Sequence, residues 1–410
     1  MKEQFVNTAI SIGNAICRDA LRHSGQCNWV GVDNDIAGES AKPYYAAMKG
    51  AWYNGTSGVA WFLAQLSEVS LEKRHRVAAL EAIEQALQNV DQVKHGKLGF
   101  HSGVTGIAFS AIEIGEKLGR EDLVERGLQL LRNLQRLPEA EYTLDVIDGC
   151  AGAIPALIKI NRRYADPVIA HLLRKMGDYL LQEAQAETTG ISWNTLPNST
   201  SANLTGYAHG AAGISVALLE LWRHTQDIRY QKAALAGFAY EDACFDIAQQ
   251  NWPDFRVGNA QRPVASNTPQ PCGCAWCHGA PGIGLSRLRA FQLTDNEAFK
   301  SAAKVAVDTT LRHFGRKELG NYSLCHGVFG NADLLLNAAE ILGDPALAEK
   351  VAGVAEEAVI QHARRKIPFP NGAQSDFNTH DMMLGMSGIG YGFLRVADPG
   401  RFGSVLIVHG

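Results

Sequence analysis

A chain of 410 residues that is 46% apolar and 20% charged can bury a large core, enough for one big repetitive domain or about two to three ordinary ones. Its 38 Lys and Arg against 42 Asp and Glu leave no basic excess to neutralise nucleic-acid phosphates or to hold the chain on anionic lipid. No run of about 18 apolar residues occurs and the N-terminus lacks the apolar stretch of a signal peptide, so no transmembrane segment is expected and the chain reads as soluble and cytoplasmic.

In chain order the predicted elements alternate. An amphipathic helix near 3–23 precedes the first copy of a short signature, Asn54-Gly-Thr-Ser-Gly-Val, in which two glycines stand three apart. A small-residue-rich helix begins just after it. Amphipathic helices near 72–92, 121–136, 166–184, 227–248, 296–313 and 345–363 then alternate with six more copies. These are Ser102-Gly-Val-Thr-Gly-Ile, Asp148-Gly-Cys-Ala-Gly-Ala, His209-Gly-Ala-Ala-Gly-Ile, His278-Gly-Ala-Pro-Gly-Ile, His326-Gly-Val-Phe-Gly-Asn and Leu384-Gly-Met-Ser-Gly-Ile. Their first glycines are 48, 46, 61, 69, 48 and 58 residues apart, room for two helices per interval.

Few segments favour strands, so the expected class is all-α. A linear solenoid would need atypical polar caps at both ends, yet the first and last small-residue helices are as apolar as the middle ones. The arrangement that removes this problem is a single domain over 1–410, an (α/α) toroid of seven outer and seven inner helices with glycine-rich turns at one mouth. The stretches 186–205 and 250–275 hold Thr, Asn, Gln and Pro clusters and read as loop insertions.

The eight cysteines, at 17, 27, 150, 244, 272, 274, 277 and 325, are spread through a long chain and read as reduced thiols. When the seven copies are superposed, the residues before the first glycine are Asn54, Ser102, Asp148, His209, His278, His326 and Leu384. One position earlier stand Tyr53, His101, Ile147, Ala208, Cys277, Cys325 and Met383. Two Cys-His pairs in register in adjacent repeats are a zinc signal, because thiolate and imidazole are what zinc takes. Cys277, His278, Cys325 and His326 offer four donors; spacing alone does not choose between a closed structural site and three ligands with an open position. Cys272 and Cys274 read as loop thiols. His209 occupies the same phase without a neighbouring cysteine, suiting a general acid or base or a histidine bound to backbone. Asp145 and Asp148 are each a candidate partner for an imidazole or a helix cap.

Gly206-Tyr-Ala-His-Gly-Ala-Ala-Gly-Ile, Asn251-Trp-Pro-Asp-Phe-Arg, Trp276-Cys-His-Gly-Ala-Pro-Gly-Ile-Gly-Leu, Ser323-Leu-Cys-His-Gly and Gly388-Ile-Gly-Tyr-Gly-Phe-Leu-Arg occur in that order. Through them the chain resembles the lanthionine synthetase C-like cyclases, most of all the cyclase half of class II lanthipeptide synthetases. The resemblance implies one Zn²⁺ held by Cys277, Cys325 and His326 with the fourth position open to a substrate thiol, His278 being a neighbour. It also implies His209 as acid/base with Asp145, not Asp148, as its partner. Two positions depart from the pattern. Some members carry arginine where this chain has Gly273 and tyrosine where it has His278, so the auxiliary roles of those residues do not transfer.

The activity implied is Michael-type addition of a cysteine thiolate to dehydroalanine or dehydrobutyrine in a dehydrated precursor peptide, giving the thioether rings of a lanthipeptide. The bifunctional relatives carry a large dehydratase region upstream, and this sequence starts at the cyclase, so a separate dehydratase is the expected partner. The same residues would serve addition of glutathione or another thiol to dehydroamino acids in proteins, and a non-catalytic zinc scaffold is the alternative from another class.

Overall fold

The computed structural model describes residues 2–35, 42–197, 202–256, 270–315, 320–373 and 377–409. Its helices are α1 (Lys2–Asp19), α2 (Thr56–Ser70), α3 (Lys73–Gln88), α4 (Val104–Leu118), α5 (Glu121–Asn133), α6 (Cys150–Tyr164) and α7 (Pro167–Gln182). They continue with α8 (Ala211–Thr225), α9 (Ile228–Ala243), α10 (Ala280–Thr294), α11 (Glu297–His313), α12 (Val328–Leu342), α13 (Pro345–Ala358) and α14 (Met386–Ala397). The chain divides into two compact units, residues 1–134 with 315–406 and residues 135–314 with 407–410. The first holds α1–α5 and α12–α14, the second α6–α11.

Each even-numbered helix starts on the residue after the first glycine of a signature. These are the buried helices: in α8 every residue from Ala211 to Leu221 is buried. The odd-numbered partners bury one face, as α5 does with Leu123, Gly127, Leu128 and Leu131, spaced by three and four residues. Several start on a side-chain cap. Asp166, Asp227, Asn296 and Asp344 accept backbone N–H groups in the first turns of α7, α9, α11 and α13.

Helical hairpins form within the repeat, the buried helix running into the amphipathic one through a left-handed residue such as Leu71, Gln226 or Asp295. The first helix therefore has no buried partner beside it in sequence. Instead α1 packs against α14, with Phe5 and Phe393 stacked at 6.2 Å.

The signature glycines serve close approach. A Cβ on Gly213 would lie 2.1 Å from the Tyr207 carbonyl oxygen, so the second glycine lets the buried helix sit on its own entering chain. Gly213→Ala is expected to destabilise the fold by about 1–3 kcal/mol through overpacking. A thermal melt checks this, and an unchanged Tm would contradict it. Backbone hydrogen bonds link successive signature turns within each unit. In the first, Cys325 N–H donates to Met383 O (3.0 Å), Met383 N–H to Tyr53 O (3.0 Å) and Tyr53 N–H to His101 O (2.7 Å). In the second, Val146 N–H donates to Ala208 O (3.0 Å) and Ala208 N–H to Cys277 O (3.2 Å). Six of these seven residues, all but Val146, stand in the row one before the histidine position, so the sequence superposition corresponds to a physical ladder.

The structure departs from the expected helices at 3–23 and 227–248, which end at Asp19 and Ala243. It also contains three two-stranded antiparallel hairpins that the sequence reading lacked. They pair β1 (Leu21–His23) with β2 (Gln26–Asn28), β3 (Val30–Asp35) with β4 (Lys42–Ala47), and β5 (Gln185–Ala186) with β6 (Ile191–Ser192). Registers include Arg22↔Cys27 and Val32↔Tyr45. Ser24 and Gly25 join β1 to β2 with φ of 48° and 76°, the two positive values that a tight hairpin turn needs. Of the expected loop insertions, 198–201 and 257–269 lie outside the described residues. Among the described residues no helix is long and apolar enough to cross a membrane.

Candidate functional site

In the second unit, the turns entering α6, α8 and α10 bring Asp145, His209 and Cys277 onto neighbouring segments of the hydrogen-bonded ladder. Asp145 is 4% exposed. Its Oδ1 accepts the Asp148 N–H at 2.8 Å, a contact that closes the turn, and its Oδ2 accepts from His209 Nδ1 at 2.5 Å. Asp145 thus closes the turn and partners the imidazole; it is not a helix cap, since α6 begins after Gly149 without a side-chain cap. Asp148 contributes its carbonyl, which accepts from Thr143 Oγ1 at 2.7 Å.

Burial by itself lowers the pKa of His209. The hydrogen bond and charge of Asp145, with smaller contributions from Asp148 and Cys277, outweigh burial and hold the imidazole above its ordinary value. His209 is therefore biased toward the cation, with Nδ1–H committed to Asp145 and Nε2–H left as the proton to give.

His278 lies against it. The two rings stack at 5.9 Å, and His278 Nδ1 is 3.9 Å from Asp254 Oδ1. Only 3% of His278 is exposed, and burial drives its pKa down, so this ring is neutral beside a neighbour biased toward the cation. The Asn251-Trp-Pro-Asp segment holds this corner. Asn251 Nδ2 donates to the Gly273 carbonyl at 2.9 Å, Trp252 packs with Ala212, Ala280, Ile283 and Ala306, and Asp254 takes Arg256 in two parallel contacts. Asp254 had no role in the sequence reading beyond its place in a motif; only the fold brings it to His278.

The cysteine loop is tightly folded. Cys274 bridges to Gly279, which has φ +96° and whose Cβ would meet the Gly273 carbonyl at 1.8 Å. A side chain on Gly273 would in turn approach the His278 carbonyl to 2.9 Å. Gly273, the position where some relatives carry arginine, is here part of a turn that leaves little space for a Cβ. Burial raises the Cys272 thiol to about 11 and the Cys274 thiol to about 12, so both stay protonated at neutral pH.

In the first unit, Cys325 is buried on the turn entering α12, and His326 follows it. The His326 N–H points to Ser323 Oγ at 3.4 Å, and Nε2–H donates to the Gly372 carbonyl at 3.1 Å. Cys277 belongs to the other unit. Among the described residues no group of three His, Cys, Asp or Glu side chains is gathered as a metal site. The chemistry of the donors nevertheless fits zinc: two thiols and one imidazole are its usual ligands. A ring whose Nε2–H is fixed by a carbonyl presents Nδ1 to a metal, the outer contact that ligating histidines use.

These features define a helical-repeat protein with a buried aspartate paired to a part-exposed histidine on a glycine signature and two Cys-His signatures, and comparison with known proteins gives its class. The chain belongs to the family described as lanthionine synthetase C-like protein, whose profile matches residues 46–407. It is similar to the lacticin 481/lactococcin biosynthesis protein LcnDR2 of Lactococcus lactis subsp. lactis, with 24% identity over 337 residues. That match covers 75% of this chain and 31% of LcnDR2, so the chain spans about a third of this relative. It is 23% identical to the glutathione S-transferase LANCL1 of Danio rerio over 316 residues, 72% of this chain and 70% of that protein. Among solved structures, nisin cyclase shares its fold with a TM-score of 0.65 at 19% identity, covering 86% of this chain and 90% of that one. The all-α, (α/α) toroid fold class expected from the seven-fold repeat is the class of this neighbour.

Proposed function

We propose that this chain is a lanthionine cyclase, which adds a cysteine thiol of a dehydrated precursor peptide to a dehydroalanine or dehydrobutyrine of the same peptide. The observation that carries the reading is the hydrogen bond of buried Asp145 to part-exposed His209, on a turn hydrogen-bonded through Ala208 to Cys277 in a chain of this family. Cys277, Cys325 and His326 would hold one Zn²⁺. Zinc, when bound, lowers the pKa of a coordinated thiol so that it reacts as thiolate at neutral pH.

The chain's own residues handle the proton. The thiol gives up its proton to solvent, sulfur bonds to Cβ, and the π pair moves onto Cα. His209 then donates the Nε2 proton to Cα, while Asp145 holds the ring by Nδ1 and stabilises its charge. Neutral His209 recovers a proton from solvent, so substrate and product have the same composition. Buried, neutral His278 keeps the face of His209 covered without a competing charge. A peptide that arrives dehydrated requires a dehydratase, which we propose as the partner, in the cytoplasm.

Asp145→Asn tests the proton donor. The cation exists below the folded pKa of His209 and is lost as pH rises through it. The carboxylate holds that pKa above its ordinary value, and burial alone would lower it. The variant is therefore expected to lose kcat at a lower pH than the unaltered chain; a basic limb that stays in place would contradict the assignment.

The likeness to a protein named glutathione S-transferase favours one second reading, addition of glutathione to a dehydroamino acid. A dehydrated, cysteine-containing peptide incubated with the protein and glutathione separates the two in a mass spectrum. The cyclase reading expects a product of unchanged mass, and a glutathione adduct as the main product would replace it with the second reading.

A further inference from the structure

His209 stands at the end of a segment, 203–209, that is tied down along its length. Tyr240 Oη donates to Asn203 O at 2.5 Å and Thr205 Oγ1 to Pro253 O at 2.6 Å. Gly206, three residues before His209, has φ +99°, and its N–H donates to Glu241 Oε1 at 2.8 Å. Glu241 lies near the end of α9 and is fully buried at 0% exposure. Arg287, in α10, is equally buried; its Nη2 lies 3.3 Å from Glu241 Oε2 and 2.6 Å from Asp242 Oδ1. The guanidinium sits 4.3 Å over the Phe238 ring.

This pair is poorly explained as a stabilising element. Arg287 Nε and Nη1 make no hydrogen bond among the described residues. Buried ion pairs with unsatisfied atoms are often replaced by apolar side chains without loss of stability. What the pair does supply is placement. Glu241 grips the backbone of the turn that carries His209, and Arg287 joins Glu241 to α10, the helix that begins directly after Cys277, His278 and Gly279.

We infer that Glu241, held by Arg287, is a positioning residue for His209, fixing the Gly206–His209 turn relative to the segment that bears Cys277 and His278. The inference rests on the cyclase reading above, through His209 as proton donor. A side chain misplaced by about 1 Å can cost about 100-fold in rate, so a loosened Gly206 would be felt at His209 without loss of the fold.

The test uses the full chain with the substitutions Glu241→Gln and Glu241→Met/Arg287→Met. Three quantities are read: Tm, kcat and KM on a dehydrated peptide, and amide hydrogen exchange across 203–209. The double variant is expected to stay folded with a modest fall in Tm, because the Gly206 N–H loses its acceptor while the buried charges are removed, to lose about 100-fold in kcat with little change in KM, and to exchange faster at Gly206. Glu241→Gln retains an acceptor for the Gly206 N–H and Asp242 beside Arg287, and should keep both kcat and protection. A folded double variant with unaltered kcat and protection would overturn the inference. So would Glu241→Gln losing turnover while Gly206 stays protected, a result that decides the matter even where the double variant fails to fold. Should the unaltered chain close no rings, the cyclase reading falls, and the exchange data still report whether Glu241 holds the turn.

Discussion

His209→Asn is expected to slow ring closure by about 10²–10⁴-fold, the usual worth of a positioned general acid, while leaving the fold intact. The side chain of His209 is part-exposed, and the backbone around it is held by contacts that do not involve the ring, including Thr195 Oγ1 to His209 O at 2.5 Å. Single-turnover kinetics on a dehydrated peptide, with Tm and metal content measured on the same sample, separate the effects. Zinc content and Tm are expected to stay close to those of the unaltered chain while the rate collapses. Loss of zinc together with rate would instead make His209 a ligand.

Cys325→Ala is expected to strip the protein of zinc and, with it, of activation of the substrate thiol. A free thiol of ordinary pKa near 8.5 is only a few per cent thiolate at neutral pH, so closure should fall by roughly 30-fold or more. Cys272→Ser provides the control, since its thiol is pushed up to about 11 by burial and has no assigned role. Elemental analysis should find about one zinc per chain in the control and little in Cys325→Ala. Zinc retained by Cys325→Ala would remove this residue from the ligand set.

The repeat carried most of the fold into view because its cause is local. Each first glycine marks the start of a buried helix, and the row containing Tyr53, Ala208, Cys277, Cys325 and Met383 is the row that hydrogen-bonds from turn to turn. Pairing was less legible: periodicity identifies an amphipathic helix but not which neighbour covers it, and α1 finds its partner at the far end of the sequence, in α14. The β1–β2 hairpin had a visible signal in Ser24-Gly25, overridden by helical spacing that ran on past Asp19. At the site, His209 and Asp148 could be named from their repeat phase, and Asp145 from its place just before the third signature. The choice between Asp145 and Asp148 rested on family resemblance until the geometry put Asp145 Oδ2 on the ring. Glu241 and Arg287 were not legible, because a charge inside an otherwise helical pattern reads as solvated until the fold encloses it. Asp254 beside His278 depends likewise on a contact across 24 residues of sequence.

Ring closure is measured most directly by thiol alkylation after incubation of the purified, zinc-loaded protein with a dehydrated precursor peptide that contains cysteine. Ring closure leaves the mass of the peptide unchanged but consumes its thiol. The alkylated fraction is expected to fall with time at unchanged peptide mass, and to fall far more slowly with His209→Asn. A thiol that stays fully alkylatable in the presence of the unaltered, zinc-loaded protein would contradict the cyclase reading.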